Sequence, residues 1–175
     1  TSGNADGLEK AETLLTAISP YIKAYQSTNY SRLLASGDIC VAVGFSGDIF
    51  QASELAAERG DDIEVMYSIP QQGTLMWFDQ MAIPSDAPNV EEAHIFLNFI
   101  MRPDVIARVS NFVYYANGNE ASWSMLEEEL FNDPSIFPTP ELKKSLFTKP
   151  PYQSATQERV DAMWARIKAV DKARP

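Results

Sequence analysis

The stretch "ICVAVGFSGDIFQASELAAERG", residues 39–60, decides the fold. Its first part is a continuous apolar run, which is typical of a β-strand covered on both faces. Its second part starts at Ser46 and keeps helical spacing as far as Gly60, so we predict a helix directly after the strand. Gly44 and Gly47 lie at the junction, where they permit a tight turn and a close approach of the backbone. A strand that leads straight into a helix predicts an α/β layered fold.

The remaining chain continues this alternation. We predict further helices over residues 8–18, 30–37, 89–101, 103–112 and 155–171, and further strands over residues 21–26, 63–70 and 73–84. Between the last two helices the sequence is rich in proline and turn residues, which indicates irregular surface structure.

The composition limits the classes of partner. The chain has 175 residues, 45% of them hydrophobic, which is enough for a core of its own, and no apolar run approaches the roughly 18 residues of a membrane span. The net charge of −10 argues against nucleic acid and anionic lipid and favours cationic partners. Because the chain starts with "TSGNADGLEK" and not with Met, we expect it to be a fragment or a processed product of a longer protein.

The sequence lacks the residues that several kinds of catalytic chemistry require. Cys40 is the one cysteine, which excludes an internal disulfide, and its apolar surroundings predict a buried small hydrophobe. His94 is the one histidine, which argues against a histidine-based metal site or a Ser-His-Asp triad. The sequence also lacks "GxSxG", "HExxH" and a glycine-rich phosphate loop. We therefore predict no catalytic residue, no metal and no cofactor.

Two aromatic residues each stand close to a carboxylate. Phe45 and Asp48 follow the buried strand, at the carboxyl end where open α/β sheets bind ligands. In the stretch "GTLMWFDQMAIP", residues 73–84, strand alternation puts Trp77 and Asp79 on one face. A helix cap at Asp48 and plain core packing of Trp77 stay open as alternatives for each residue taken alone.

The two pairs suit an elongated cation. Each carboxylate can accept charge-assisted hydrogen bonds from an ammonium group. Each ring face attracts a cation by about 0.5–2 kcal/mol and covers methylene groups at about 0.8 kcal/mol per CH₂. Tyr114 and Tyr115 add a phenolic rim.

Two other functions remain open from the residues. A basic amino acid or another amine would need an arginine for its carboxylate, whereas Arg32, Arg102 and Arg108 all lie in helical patterns. An enzyme that acts on amines is the second alternative, with carboxylates as acid and base.

Three segments together resemble the periplasmic polyamine-binding proteins of bacterial ABC transporters. They are "SRLLASGDICVAVGFSGDIFQA" (31–52), "WFDQMAIPSDAPNVEEAHIFLNFIMRPDVIARVSN" (77–111) and "VYYANGNEAS" (113–122). The resemblance lies in their order and spacing, covers nearly the whole chain and is weakest after residue 125. It implies a putrescine- or spermidine-binding protein exported to the periplasm, with a membrane permease of an ABC transporter as partner.

The resemblance also implies a fold. Family members have two lobes of the type II periplasmic-binding-protein (Venus flytrap) class, each an α/β lobe with a mixed five-stranded sheet flanked by helices, and they close on ligand by a hinge motion. This chain resembles their C-terminal half, so the N-terminal half of the same protein is an implied partner. Residues 1–70 would belong to the second lobe, residues 71–115 would cross the hinge and complete part of the first, and residues 116–175 would return to the second.

The resemblance implies a role for five residues. Asp48 matches the acid of the family's "G-W-[SA]-G-D" element, in which Phe45 replaces the usual Trp. Asp79 matches the acid of an aromatic-x-Asp element with Trp77 as its aromatic, and Tyr115 matches a tyrosine of the cleft. The carboxylates would accept ammonium groups, the two rings would cover the alkyl chain and the phenol would form the rim. A phenyl ring covers less alkyl surface than an indole, whereas the bulky Trp77 favours the longer spermidine.

Overall fold

The computed structural model describes residues 5–172. Within this range the α-helices are α1 (Ala5–Ile18), α2 (Tyr30–Ala35), α3 (Ser46–Arg59), α4 (Val90–Ile100), α5 (Pro103–Val113), α6 (Glu128–Asn132), α7 (Pro140–Lys143) and α8 (Ser154–Lys172), and the 3₁₀ helices are Ser19–Tyr21 and Glu120–Met125. All six predicted helices are confirmed. Among these described helices, none combines the length and the hydropathy that a membrane crossing requires.

Local chemistry sets the bounds of the helices that carry the candidate site. Helix α3 begins after Phe45, whose backbone is extended, and ends at Gly60, which has a left-handed φ of 68°. Glycine adopts this conformation without the steric cost that a Cβ brings. Helix α5 begins at Pro103, because the first helical position needs no backbone N–H and proline's φ already suits a helix.

The predicted strands are not formed. Residues 21–26, 39–45, 63–70 and 73–84 contain no β-ladder, and the described chain has one isolated parallel bridge, between Leu75 and Phe147. A ladder needs a second strand alongside to accept and donate its hydrogen bonds. Within residues 5–172 only the short contact with Phe147 provides such pairing, and it ends after one bridge. The mixed five-stranded sheet is therefore not confirmed.

One of these segments still keeps the side-chain alternation of a strand. From Ile63 to Ile69, odd-numbered residues are partly buried and even-numbered residues are exposed. Val65 and Tyr67 of this series pack on a core cluster. The segment thus has one packed face and no partner strand among the described residues.

The chain divides into two compact units. The first contains the described parts of residues 1–27 and 149–175. In this unit Leu8 of α1 packs with Met163 and Ile167 of α8. Arg166 donates two hydrogen bonds to the Glu12 carboxylate, at 2.6 and 2.8 Å, and this contact lowers the pKa of Glu12.

The second unit contains residues 28–148 and all five predicted site residues. Its core cluster joins α2 to α3 through Tyr30, Leu34, Ile49 and Ala52. Burial of such apolar side chains gives about 25 cal/mol per Å² removed from water. This packing fixes the start of α3, where the candidate site lies.

The environment of Cys40 differs from the prediction. Cys40 is exposed and not buried, and its neighbours Val41 and Val43 are 84% and 102% exposed. The apolar run is therefore not covered on both faces as predicted: Ile39 and Ala42 pack on the core cluster, whereas the side chains between and beyond them are exposed.

Candidate functional site

The two predicted rings contact each other. The centroids of Phe45 and Trp77 lie 6.0 Å apart, with their planes at 62°, in an edge contact that such ring pairs favour. Phe45 is 47% exposed and Trp77 is 61% exposed. Plain core packing of Trp77 is therefore wrong, and both rings are accessible to a ligand.

Trp77 and Asp79 contact each other, as their spacing predicts. The indole Nε1 donates a hydrogen bond to Asp79 Oδ1 at 3.2 Å. Asp79 is exposed, and its carboxylate has further lone pairs that this bond does not use. The indole hydrogen bond thus holds an accessible carboxylate beside the ring.

Two phenols hold Asp48. Tyr115 donates a hydrogen bond to Asp48 Oδ1 at 3.2 Å, and Tyr30 donates one to Asp48 Oδ2. Asp48 lies in the first turn of α3, where a negative charge is favourable, but the N-cap of α3 is Phe45 and no side-chain cap is formed. The helix-cap alternative for Asp48 is therefore wrong.

The backbone beside Tyr115 brings its ring against α3. Tyr114, the residue before it, ends α5 with a left-handed φ of 59°, which is unusual for a residue other than glycine. A Cβ at Gly47 would lie 2.2 Å from Tyr115 Cε2 and 2.4 Å from the Val113 carbonyl oxygen. Glycine at position 47 is thus what permits the Tyr115 ring to reach Asp48.

The two phenols on Asp48 remain protonated donors well beyond neutral pH. Burial, followed by the hydrogen bond to Asp48, raises the pKa of Tyr30. Burial, followed by the charge of Asp48, raises the pKa of Tyr115 well above its usual range. Both shifts favour the neutral phenol, which is the form that donates to a carboxylate.

Tyr114 has a different partner from Tyr115. Its hydroxyl donates a hydrogen bond to Glu54 of α3, and this bond, with some burial, raises the pKa of Tyr114 to about 12. Its ring stacks on Phe50 at 6.0 Å. Predicted as part of the phenolic rim with Tyr115, it contacts other residues of α3 and not Asp48.

Tyr30 is the contact of Asp48 that the sequence analysis missed. Its sequence context predicts only the start of a helix, and it lies eighteen residues before Asp48 in the chain. Its hydroxyl also accepts the backbone N–H of Phe45 at 3.1 Å. The structure thus links all five predicted residues in one series of contacts: Asp79, Trp77, Phe45, then through Tyr30 to Asp48, and Tyr115.

Gly47→Ala is expected to destabilise the second unit and to displace Tyr115. Helix propensity alone favours Ala over Gly by about 1 kcal/mol, but the new methyl group would meet a backbone oxygen at 2.4 Å. We expect a net loss of about 1–3 kcal/mol in the free energy of unfolding, measured by urea denaturation.

Gly118→Ala is the matched control, because a Cβ there meets nothing within 4 Å. It should leave the free energy of unfolding within about 0.5 kcal/mol of the wild-type value. Equal stability of the two variants would contradict the close approach at Gly47.

A groove in the first unit contains none of the predicted residues. It has a volume of about 320 Å³ between α1 and α8. Two of the charged residues that line it, Glu12 and Arg166, are already bonded to each other. The contact series in the second unit is therefore the better candidate.

In the described part of the site, accessible rings lie beside carboxylates that have acceptor capacity left, an arrangement that suits a small cationic solute. A comparison of the sequence with known families agrees, since the family described as "Bacterial extracellular solute-binding protein" matches residues 1–138. The chain belongs to this family.

Relatives and solved structures support the assignment. The chain is 41% identical over 166 residues to the putrescine-binding periplasmic protein SpuD of Pseudomonas aeruginosa strain UCBPP-PA14, with 95% of this chain and 45% of that protein covered. It is 38% identical over 159 residues to the putrescine-binding periplasmic protein PotF of Escherichia coli strain K12, with 91% and 43% covered. The chain thus spans less than half the length of these curated relatives.

The fold is shared with a solved structure. A putative spermidine/putrescine ABC transporter from Listeria monocytogenes matches with a TM-score of 0.80 and 27% identity, over 95% of this chain and 49% of that one. The chain therefore has the fold of part of a type II periplasmic-binding protein, although the described residues lack the predicted sheet.

Proposed function

We propose that the protein that contains this chain binds putrescine or spermidine as the solute-binding component of an ABC import system. The observation that carries this function is the contact series from Asp79 and Trp77 through Phe45 to Asp48 and Tyr115. It combines two carboxylates with two accessible rings, and an alkyl chain with an ammonium group at each end is the ligand that uses both.

Each part of the series has a role in this proposal. Asp48 and Asp79 accept hydrogen bonds from ammonium groups, which are stronger than bonds between neutral groups. Phe45 and Trp77 cover the methylene groups and attract the cation by their ring faces. Tyr115 forms the rim and orients the Asp48 carboxylate. The net charge of −10 adds long-range attraction for a cation.

The wider assembly is also part of the proposal. Relatives are named periplasmic binding proteins for putrescine, so we place this protein in the periplasm, with a membrane permease as partner. The part of the relatives that this chain does not match would supply the other lobe, the remaining strands of each five-stranded sheet and the other walls of the cleft. The second lobe would then contain residues 1–70 and, after the chain returns to it, residues 116–175. Residues 71–115 would cross the hinge and form part of the first lobe.

The proposal is for binding without catalysis. The relatives are solute-binding proteins, and both phenols near Asp48 have raised pKa values, which makes them poor general bases at neutral pH. Turnover of a polyamine by the purified protein would establish the enzyme alternative. A basic amino acid as ligand would need a guanidinium for its carboxylate; Arg102, one of the three arginines considered, instead donates two hydrogen bonds to Asp104 in the first turn of α5.

Calorimetric titration of the full-length protein tests the function. Putrescine and spermidine should bind with a 1:1 stoichiometry, and lysine and arginine should bind at least about 100-fold more weakly, because their carboxylate would meet Asp48 or Asp79 without a cationic partner. Absence of heat with both polyamines, or tighter binding of arginine, would contradict the proposal.

A further inference from the structure

Tyr30 joins two separate parts of the candidate site. Its side chain is buried, at 7% exposure. Its hydroxyl donates to Asp48 Oδ2 and accepts the backbone N–H of Phe45 at 3.1 Å. The Tyr30 phenol thus connects the backbone of Phe45 to the carboxylate of Asp48.

Core packing fixes the position of this phenol. Tyr30 begins α2 and packs with Leu34, Ile49 and Ala52. A Cβ at Gly44 would lie 2.4 Å from Tyr30 Cε2, so the backbone at this glycine lies directly on the ring. Such close packing restrains the ring, and with it the position of the hydroxyl.

A carboxylate without such a partner would be less well oriented. The terminal torsion of an aspartate side chain is broad, so the two oxygens sample many directions. An ionised carboxylate has about four lone-pair sites. Tyr30 occupies one on Oδ2 and Tyr115 occupies one on Oδ1, which leaves the others in a defined direction.

We propose that Tyr30 is a positioning residue for the ligand: its hydroxyl holds the Asp48 carboxylate in the orientation in which the remaining lone pairs accept an ammonium group. This role rests on the proposed function and deepens it, because it assigns part of the affinity to a buried residue that orients the Asp48 carboxylate.

Tyr30→Phe tests this role in the full-length protein. The variant keeps the ring and removes the hydroxyl. We expect putrescine affinity, measured by calorimetry, to fall about tenfold, in line with the loss of one hydrogen bond to a charged group. Tyr67→Phe is the matched control, because Tyr67 packs against the same core cluster and its ring contacts Phe50 and not Asp48. It should leave the affinity unchanged.

A double-mutant cycle separates positioning from general structural support. In an Asp48→Asn background, Tyr30→Phe should reduce affinity less than about twofold, since the carboxylate that Tyr30 orients is absent. A loss of the same size in both backgrounds would overturn the role of Tyr30. Wild-type binding with no loss in Tyr30→Phe would also overturn it and leave the proposed function standing. Absence of wild-type binding would overturn both.

If the melting temperature of Tyr30→Phe lies well below that of Tyr67→Phe, its loss of affinity could come from lost stability. A second measurement then tests the role of Tyr30 without changing Tyr30. In a Tyr115→Phe variant, Tyr30 is the remaining phenol on Asp48. Addition of putrescine to this variant should perturb the near-ultraviolet absorption of tyrosine, because the ammonium group shares the carboxylate with Tyr30. A flat difference spectrum with ligand bound would overturn the proposal.

Discussion

Replacement of Asp48 and Asp79 together by Asn is expected to weaken putrescine binding by roughly 10²–10⁴-fold. A hydrogen bond to a charged group contributes about 1.5–3 kcal/mol, and each tenfold change in affinity corresponds to about 1.4 kcal/mol. Asn has nearly the shape of Asp, and its amide oxygen can still accept the Trp77 Nε1 hydrogen bond that Asp79 now accepts. The variant therefore removes the charges and keeps the rings in contact. Calorimetric titration of the full-length protein gives the affinities.

The control for this variant is a second double variant that changes the net charge by the same amount at positions outside the site. Asp62 and Asp86 are exposed and lie outside the contact series, so Asp62→Asn with Asp86→Asn removes two charges without touching the site. This control should bind within about threefold of wild type at physiological salt, since screening weakens distant charges. Undiminished binding by the Asp48 and Asp79 variant would refute the site.

Gly73→Ala is expected to lower the free energy of unfolding by more than about 3 kcal/mol. Gly73 has a φ of +89°, and a Cβ there would lie 1.8 Å from the Ser145 carbonyl oxygen, a distance at which two atoms cannot coexist. The two segments would have to separate. That separation would break the adjacent Leu75–Phe147 bridge, in which Met76 N–H donates to the Phe147 carbonyl at 2.7 Å. Urea denaturation measures the loss.

Gly60→Ala separates backbone strain from steric overlap. Gly60 has a similar positive φ of +68°, but a Cβ there meets nothing within 4 Å. Its cost should be that of a left-handed residue alone, about 1–2 kcal/mol. If Gly73→Ala lowers the free energy of unfolding no more than Gly60→Ala does, the close approach of residue 73 to Ser145 is absent in solution.

The helices could be predicted because their signals are local. Apolar spacing marked α1, α3 and α8, and proline at position 103 and glycine at position 60 marked a start and an end. Strands differ, because a ladder is made with residues far away in the chain. The apolar run at 39–45 indicated extended structure, but its composition contained no information about which segment pairs with it.

The same distinction between local and distant contacts applies to the candidate site. The contact of Trp77 with Asp79 follows from a spacing of two residues, and its hydrogen bond is present. The contact of Phe45 with Trp77 and the bonds of Tyr30 and Tyr115 to Asp48 join distant segments. The aromatic–acid pairs, the phenolic rim and the resemblance to a family predicted all five candidate residues, whereas Tyr30, a buried aromatic at a helix start, had no such signal.

The angle between the Phe45 and Trp77 rings has a consequence for how an alkyl chain is enclosed. Planes that meet at 62° form a corner and not a parallel slot. A straight chain of methylene groups in a corner has ring carbon on two adjacent sides and open water on the other two, so it gains only part of the roughly 0.8 kcal/mol per CH₂ that full burial gives. If the proposed diamine lies in this corner, the surface that closes its open sides decides how tightly it is held.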